Sequence, residues 1–183
     1  ALLIVDVQND FCPGGALPID DGHAVVPVLN DWIAAAKAAG VPIYASRDWH
    51  PSTHPSFATE GGPWPVHCVQ DTGGAAFHPD LKLPEDTVLV AKGTRFDKDQ
   101  YSAFDETGLS AELEKRSVKR AWVGGLALDV CVKATAVDAV AAGLETHLIT
   151  AATRPVTPEG GTEALQEMRT AGVILEDPPS GPG

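Results

Sequence analysis

The sequence predicts an α/β fold of three layers, a six-stranded parallel sheet with helices on both faces. Three observations carry the prediction. Leu2 to Val7 is an apolar run broken only by Asp6, as expected of a strand buried on both faces. Longer stretches repeat apolar residues three and four apart, as at Val25, Leu29, Ile33 and Ala36. The two kinds of segment alternate along the chain, the order that strand–helix–strand crossovers of a parallel sheet require. With 183 residues and 44% hydrophobic content, a single domain over residues 1–177 is expected, with 178–183 an unstructured tail.

The net charge of −12 argues against nucleic acid or an anionic membrane surface as partner. No apolar run reaches the length of a bilayer span. The opening Ala1-Leu-Leu-Ile-Val5 is too short, and lacks the basic flank, for a signal peptide. Because the chain starts directly in an apolar run, a few native residues are expected to precede it. Three cysteines without metal-finger spacing, Cys12, Cys68 and Cys131, suggest a reducing, cytoplasmic setting.

In the first strand, a carboxylate at Asp6 is costly unless it ends the strand and is paired. It reads as a residue at the C-terminal end of a parallel strand, where open α/β sheets hold ligands, or else as a cap on the loop that follows. That loop, Gln8 to Gly15, is rich in turn residues. A helix over residues 23–39 ends at Gly40, and Val41 to Ser46 forms the second strand. Asp48 and His50 follow it directly. In extended chain they point to one side, which suits a divalent metal held by carboxylate and imidazole, although Asp-x-His alone is a weak pattern. The long loop from Thr59 to Gln70 adds Trp64, pinned between two prolines, and His67. Asp48, His50 and His67 together would form a metal site with open positions; otherwise His67 bonds its own loop's backbone. His54 and His78 read as solvent-exposed.

Thr87 to Ala91 is the third strand, with Lys92 at its end. That lysine either snorkels to water or, beside Asp6 and Cys131, holds the carboxylate and stabilises a thiolate. Tyr101 to Phe104 lies in the next loop, Leu109 to Arg116 is a short helix, and Val118 to Val123 is the fourth strand. Gly124-Gly125 reads as the tight turn into a helix from Leu128, with Val132, Ala136, Val137 and Val140 inward. Cys131 then falls in a first helical turn. The helix dipole there favours thiolate, and backbone N–H groups could hold an oxyanion; a buried structural cysteine is the alternative. Glu145 to Ile149 is the fifth strand. Pro158 to Gly172 is the last helix, with Leu165 and Met168 inward, and Val173 to Leu175 the sixth strand.

These residues lie in five segments: Val5-Asp-Val-Gln-Asn-Asp-Phe11, Arg47-Asp-Trp-His-Pro51, Gly61-Gly-Pro-Trp-Pro-Val-His-Cys-Val69, Ala91-Lys-Gly93 and Gly125-Leu-Ala-Leu-Asp-Val-Cys-Val132. With them the chain resembles the nicotinamidases of the cysteine-hydrolase (isochorismatase-like) superfamily from about Leu2 to Val173. The first segment is common to the superfamily; the second and third are more specific to the metal-bearing nicotinamidase branch. The resemblance implies a catalytic triad of Asp6, Lys92 and Cys131. It implies one divalent metal ion (zinc, iron or manganese) on Asp48, His50 and His67, with His54 the candidate for a further ligand. It also implies a cis Leu126–Ala127 peptide, an oxyanion hole of the Ala127 and Cys131 N–H groups, and pocket aromatics Phe11, Trp64 and Tyr101.

The implied reaction is hydrolysis of a small amide, nicotinamide or a pyrazinamide-like analogue, through a Cys131 thioester. NAD salvage in the cytoplasm is the implied setting, with homo-oligomerisation left open. Two residues depart from the pattern. Leu128 stands where relatives more often carry a hydroxyl residue, and Val130 where they carry an aromatic, so the preferred acyl group stays open. Rival readings are a carbamoyl or ureido hydrolase of the same superfamily, and a non-catalytic metal or redox module with an inert Cys131. Isochorismatase proper fits less well, since it needs neither the cysteine nor the metal set.

Overall fold

The computed structural model describes residues 1–176, so the tail expected at 178–183 lies outside the described residues. Six strands form one sheet: β1 (Leu2–Val5), β2 (Ile43–Asp48), β3 (Val88–Lys92), β4 (Arg120–Leu126), β5 (Glu145–Arg154) and β6 (Ile174–Glu176). All pair in parallel, in the order β3-β2-β1-β4-β5-β6. Strand order reverses between β1 and β4, and the crevice beyond the C-terminal ends of those strands is where such sheets take ligands.

The period-two alternation of β1 builds both halves of the core. Leu2 and Ile4 face one layer with Leu29, Trp32 and Ile33 of α1 (Val25–Ala38). Leu3 and Val5 face the other, formed by α2 (Leu109–Lys115), α3 (Lys133–Ala141) and α4 (Pro158–Ala171). The four α1 residues predicted to face inward are all buried. Helix α4 starts on Thr157, whose hydroxyl accepts the Gly160 N–H at 3.0 Å, with Pro158 following; it ends at Gly172, at φ +100°. No helix among the described residues is long and apolar enough to cross a membrane.

Four local readings are corrected. Strand β1 stops at Val5, because Asp6 takes a left-handed φ of +48° and turns its side chain out of the strand register. Gly124-Gly125 is not the turn: β4 continues through both to Leu126. A Cβ on Gly124 would lie 3.1 Å from atoms of Ala152 and Leu29, and one on Gly125, at φ +131°, would lie 2.0 Å from the Val5 carbonyl oxygen. These glycines let β4 lie close to its neighbours; they do not end it. The inner face of α3 is Thr135, Ala136 and Ala139, continued from Val132, with Val137 and Val140 only partly buried, because the helix is entered through a π turn over Leu128–Val132 that rotates its register. Strand β5 runs five residues past Ile149, following β4 to its end at Leu126.

Gly125→Ala is therefore expected to cost about 3 kcal/mol or more, since a methyl group would meet backbone and not a movable side chain. Thermal melting of the variant checks this; a near wild-type Tm would show that β1 and β4 can separate.

Candidate active site

Asp6, Lys92 and Cys131 come from the ends of β1 and β3 and from the turn after β4, and the sheet brings them together. Lys92 is fully buried, so it does not snorkel. Its Nζ stands 2.7 Å from Asp6 Oδ2, 2.6 Å from Asp48 Oδ1 and 3.4 Å from Cys131 Sγ. Asp6 is equally buried; its Oδ1 accepts the Ser46 hydroxyl at 2.7 Å. Oδ2 pairs with the Lys92 ammonium, and a carboxylate oxygen so paired can still accept a second hydrogen bond. An oxygen of Asp6, one of Asp48 and Cys131 Sγ lie within 4.8 Å of one another.

Burial raises the Asp6 carboxyl, and the nearby Lys92 ammonium only partly offsets this. Burial opposes the charge on Lys92, but Asp48 and Asp6 outweigh it and lift the lysine well above its usual range. Burial also raises the Cys131 thiol well above the ordinary value, against Lys92 and with help from Asp6 and Asp48. The helix-dipole expectation of a resting thiolate is thus corrected. At this nearly buried residue, 6% exposed, desolvation and the two carboxylates outweigh one turn's dipole and push the thiol up.

Asp48 ends β2, and His50 continues it in extended form, its N–H donating to the Cys68 carbonyl at 2.9 Å. His67 arrives from the long loop. One ligand atom from each of Asp48, His50 and His67 lies within 4.8 Å of the others, and all three residues are buried. His50 Nδ1 bonds the Gly93 carbonyl at 2.8 Å and His67 Nδ1 the Pro65 carbonyl at 2.7 Å. Each Nδ1 is therefore a donor, and in the Nδ1–H tautomer each Nε2, 3.6 and 3.9 Å from Asp48, offers its lone pair as a ligand. A carboxylate with two imidazoles held in this tautomer fits a divalent cation.

His54 is not exposed, as the sequence suggested, but fully buried. Its ring stacks on His50 at 4.0 Å between centroids, because the Pro51–Phe57 turn folds back over β2. Burial lowers its pKa to about 4, and its Nε2 has no hydrogen-bond partner. It groups with His50 and Asp99 within 4.8 Å, but not with Asp48 and His67. His78 is half-buried and stands apart from these groups.

A cleft of about 490 Å³, counted to its open mouth, leads to Cys131. Phe11, Trp64 and Tyr101 all line it, with the Trp64 indole N–H donating to the Tyr101 hydroxyl at 3.1 Å. Ala127 also lines it, and the Leu126–Ala127 peptide is cis. Val130 forms part of the wall, whereas Leu128 packs into the core with Ala164 and Met168, so of the two sequence departures Val130 shapes the pocket.

Sequence reading missed Leu17, Ile19, Asp99 and Val156 in the wall, because nothing in their local pattern brings those loops together. It quoted Gln8 and Asp10 without roles. Gln8, fully buried, donates to the Asp48 and Ala75 carbonyls at 2.8 and 2.9 Å and accepts the Asp48 N–H at 2.8 Å. Asp10 accepts the Cys68 N–H at 2.8 Å and so holds the loop that carries His67.

The doubly wound parallel sheet thus gathers a buried carboxylate, ammonium and thiol at its switch point. The chain belongs to the isochorismatase family of proteins: the Isochorismatase domain matches residues 1–177. It is 41% identical to the nicotinamidase/pyrazinamidase of Mycobacterium tuberculosis, over 96% of this chain and 97% of that protein. It is 38% identical to the nicotinamidase of Escherichia coli strain K12, over 96% and 93%. Among solved structures it superposes on the pyrazinamidase of Pyrococcus horikoshii in complex with zinc, with TM-score 0.93 and 45% identity over 96% of this chain and 97% of that one.

Proposed function

We propose that this chain hydrolyses nicotinamide to nicotinate and ammonia, and accepts pyrazinamide-like heteroaromatic amides, through a thioester on Cys131. The observation that carries the reading is Lys92 Nζ, within 3.4 Å of Asp6, Asp48 and Cys131 and buried behind the last two, which line a largely apolar cleft. Kinship with enzymes named for nicotinamide hydrolysis supports the substrate.

The Cys131 thiol gives its proton to Asp6, whose burial-raised carboxyl is matched to receive it, and Lys92 stabilises the resulting thiolate. Sulfur attacks the amide carbon, and the Ala127 and Cys131 N–H groups stabilise the oxyanion. As the C–N bond breaks, Asp6 returns the proton to the departing nitrogen and ammonia leaves. Water then attacks the thioester while Asp6 takes its proton; the C–S bond breaks, releasing the acid and restoring the thiol.

Asp48, His50 and His67, with His54 as a further candidate, would hold the divalent ion, zinc, iron or manganese. Bound there, it would supply a Lewis acid for the lone pair of a ring nitrogen. Phe11, Trp64 and Tyr101 would sandwich the planar ring.

Purified protein should release ammonia from nicotinamide, and exhaustive chelation should remove most of the rate, with zinc or manganese restoring it. Brisk release from carbamoyl or ureido compounds, with none from nicotinamide, would move the substrate elsewhere in the family. Metal bound without turnover of any amide would favour the non-catalytic module.

A further inference from the structure

We propose that Gln100 is a positioning residue that places Lys92 and His50 together by clamping Gly93, the residue linking the two halves of the site. This rests on the roles given above to Lys92 and His50. Gln100 is only 4% exposed. Its Oε1 accepts the Gly93 N–H at 3.0 Å, and its Nε2 donates to the Asp105 carbonyl at 2.5 Å. One partner can only donate and the other only accept, so the carboxamide has a single satisfactory orientation. The backbone carbonyl of the same residue accepts Lys92 Nζ at 3.4 Å.

Gly93 in turn holds the metal half, since its carbonyl is the oxygen that fixes the His50 tautomer at 2.8 Å. Gly93 has no side chain with which to anchor itself and cannot gain one. It sits at φ +64°, and an added Cβ would lie 2.3 Å from His50 Cε1 and 2.5 Å from Nδ1. Its position therefore depends on the hydrogen bonds to its backbone, and Gln100 supplies the one to its N–H. Elsewhere the loop is held by solvent-exposed ion pairs, Arg95 with Asp97 and Glu106 and Lys98 with Asp105 and Glu106, which position backbone only weakly. A single buried carboxamide thus sets both the cation beside the thiol and the imidazole that faces the metal.

The test compares Q100M, which keeps length and bulk but loses both polar contacts, with Q100N, whose carboxamide is one methylene short. Q166M is the control, the same change made at an exposed glutamine of α4, since the Asp105 carboxylate itself pairs with Lys98 in the loop under test. Three quantities are read without any amide substrate: zinc affinity by competition with a chromophoric chelator, the rate of Cys131 alkylation by iodoacetamide, and the visible spectrum of the Co(II)-substituted protein.

In both Gln100 variants zinc affinity should fall about tenfold or more, the range typical for partners behind a metal ligand. Alkylation should slow several-fold and the Co(II) bands should shift, with Q166M matching wild type. Folded variants holding both affinity and alkylation within about twofold of wild type would overturn the proposal. A shift in only one of them would overturn the coupling. If unsubstituted protein neither binds zinc nor is alkylated at Cys131, the roles of His50 and Lys92 fall too, which separates that failure from this one.

Discussion

Cys131→Ala should lower kcat for nicotinamide by about 10⁴-fold or more, because it removes the one thiol that lines the cleft among the described residues. Cys12 and Cys68 are buried in the α1-side core cluster and do not line the cleft, so neither substitutes for it. The change deletes one sulfur atom from the wall of an open cleft, so Tm should move by only a few degrees. The Asp48/His50/His67 set should still bind zinc. Acid quenching of the wild-type enzyme during turnover, followed by peptide mass spectrometry, should find the acyl group on Cys131. Residual activity within about tenfold of wild type would reject the nucleophile assignment and the thioester with it.

Lys92→Met should cost both activity and stability, and the stability loss should depend on pH in a definite direction. Methionine reproduces the lysine stem as far as Cε but lacks the ammonium, and so leaves Asp6 and Asp48 buried with no cation between them. Breaking a buried ion pair from one side costs about 3–5 kcal/mol, or roughly 10 °C in Tm for a chain of this size. In chelator-treated wild-type protein, burial opposes the Asp48 charge but Lys92 and His50 hold its carboxyl below the usual range. That depression contributes stability above the ordinary carboxylate pKa, and it is lost as pH falls through the folded value.

The raised pKa of Lys92 contributes fully at every pH below the ordinary lysine range, so it does not vary across the acid window. In the variant both carboxyls rise, and acid relieves them by protonation. The Tm gap between wild type and variant should therefore be widest near neutrality and narrow toward about pH 4. Melting curves across that range decide it; a gap independent of pH would mean that the loss comes from packing and not from unpaired charge.

Some of this was legible from local pattern alone. The alternation of apolar runs with helical periodicity was enough for a parallel three-layer fold, because parallel strands buried on both faces must be apolar throughout. The same rule made Asp6 conspicuous: one carboxylate in such a run needs a partner and an end position, and it has both. Asp48, His50, Lys92 and Cys131 were readable for a related reason, since a parallel sheet sends the C-terminal ends of all its strands to one edge.

Other features depended on neighbours that no local window contains. Gly124 and Gly125 looked like a turn, yet they extend a strand because Leu29, Ala152 and the Val5 carbonyl crowd them from other elements. His54 looked like a surface residue and is buried because a turn folds it onto His50. The dipole argument at Cys131 was sound locally, but desolvation and two carboxylates from β1 and β2 outweighed it. Gln100 carried no signal, since its importance lies in two backbone groups that the fold brings within reach of one carboxamide. The sequence by itself determined the fold class and which residue types gather at the sheet's edge, because hydrophobic period and strand direction are local properties. Only the tertiary structure decided protonation, tautomer and wall shape, because those depend on burial and on atoms distant along the chain.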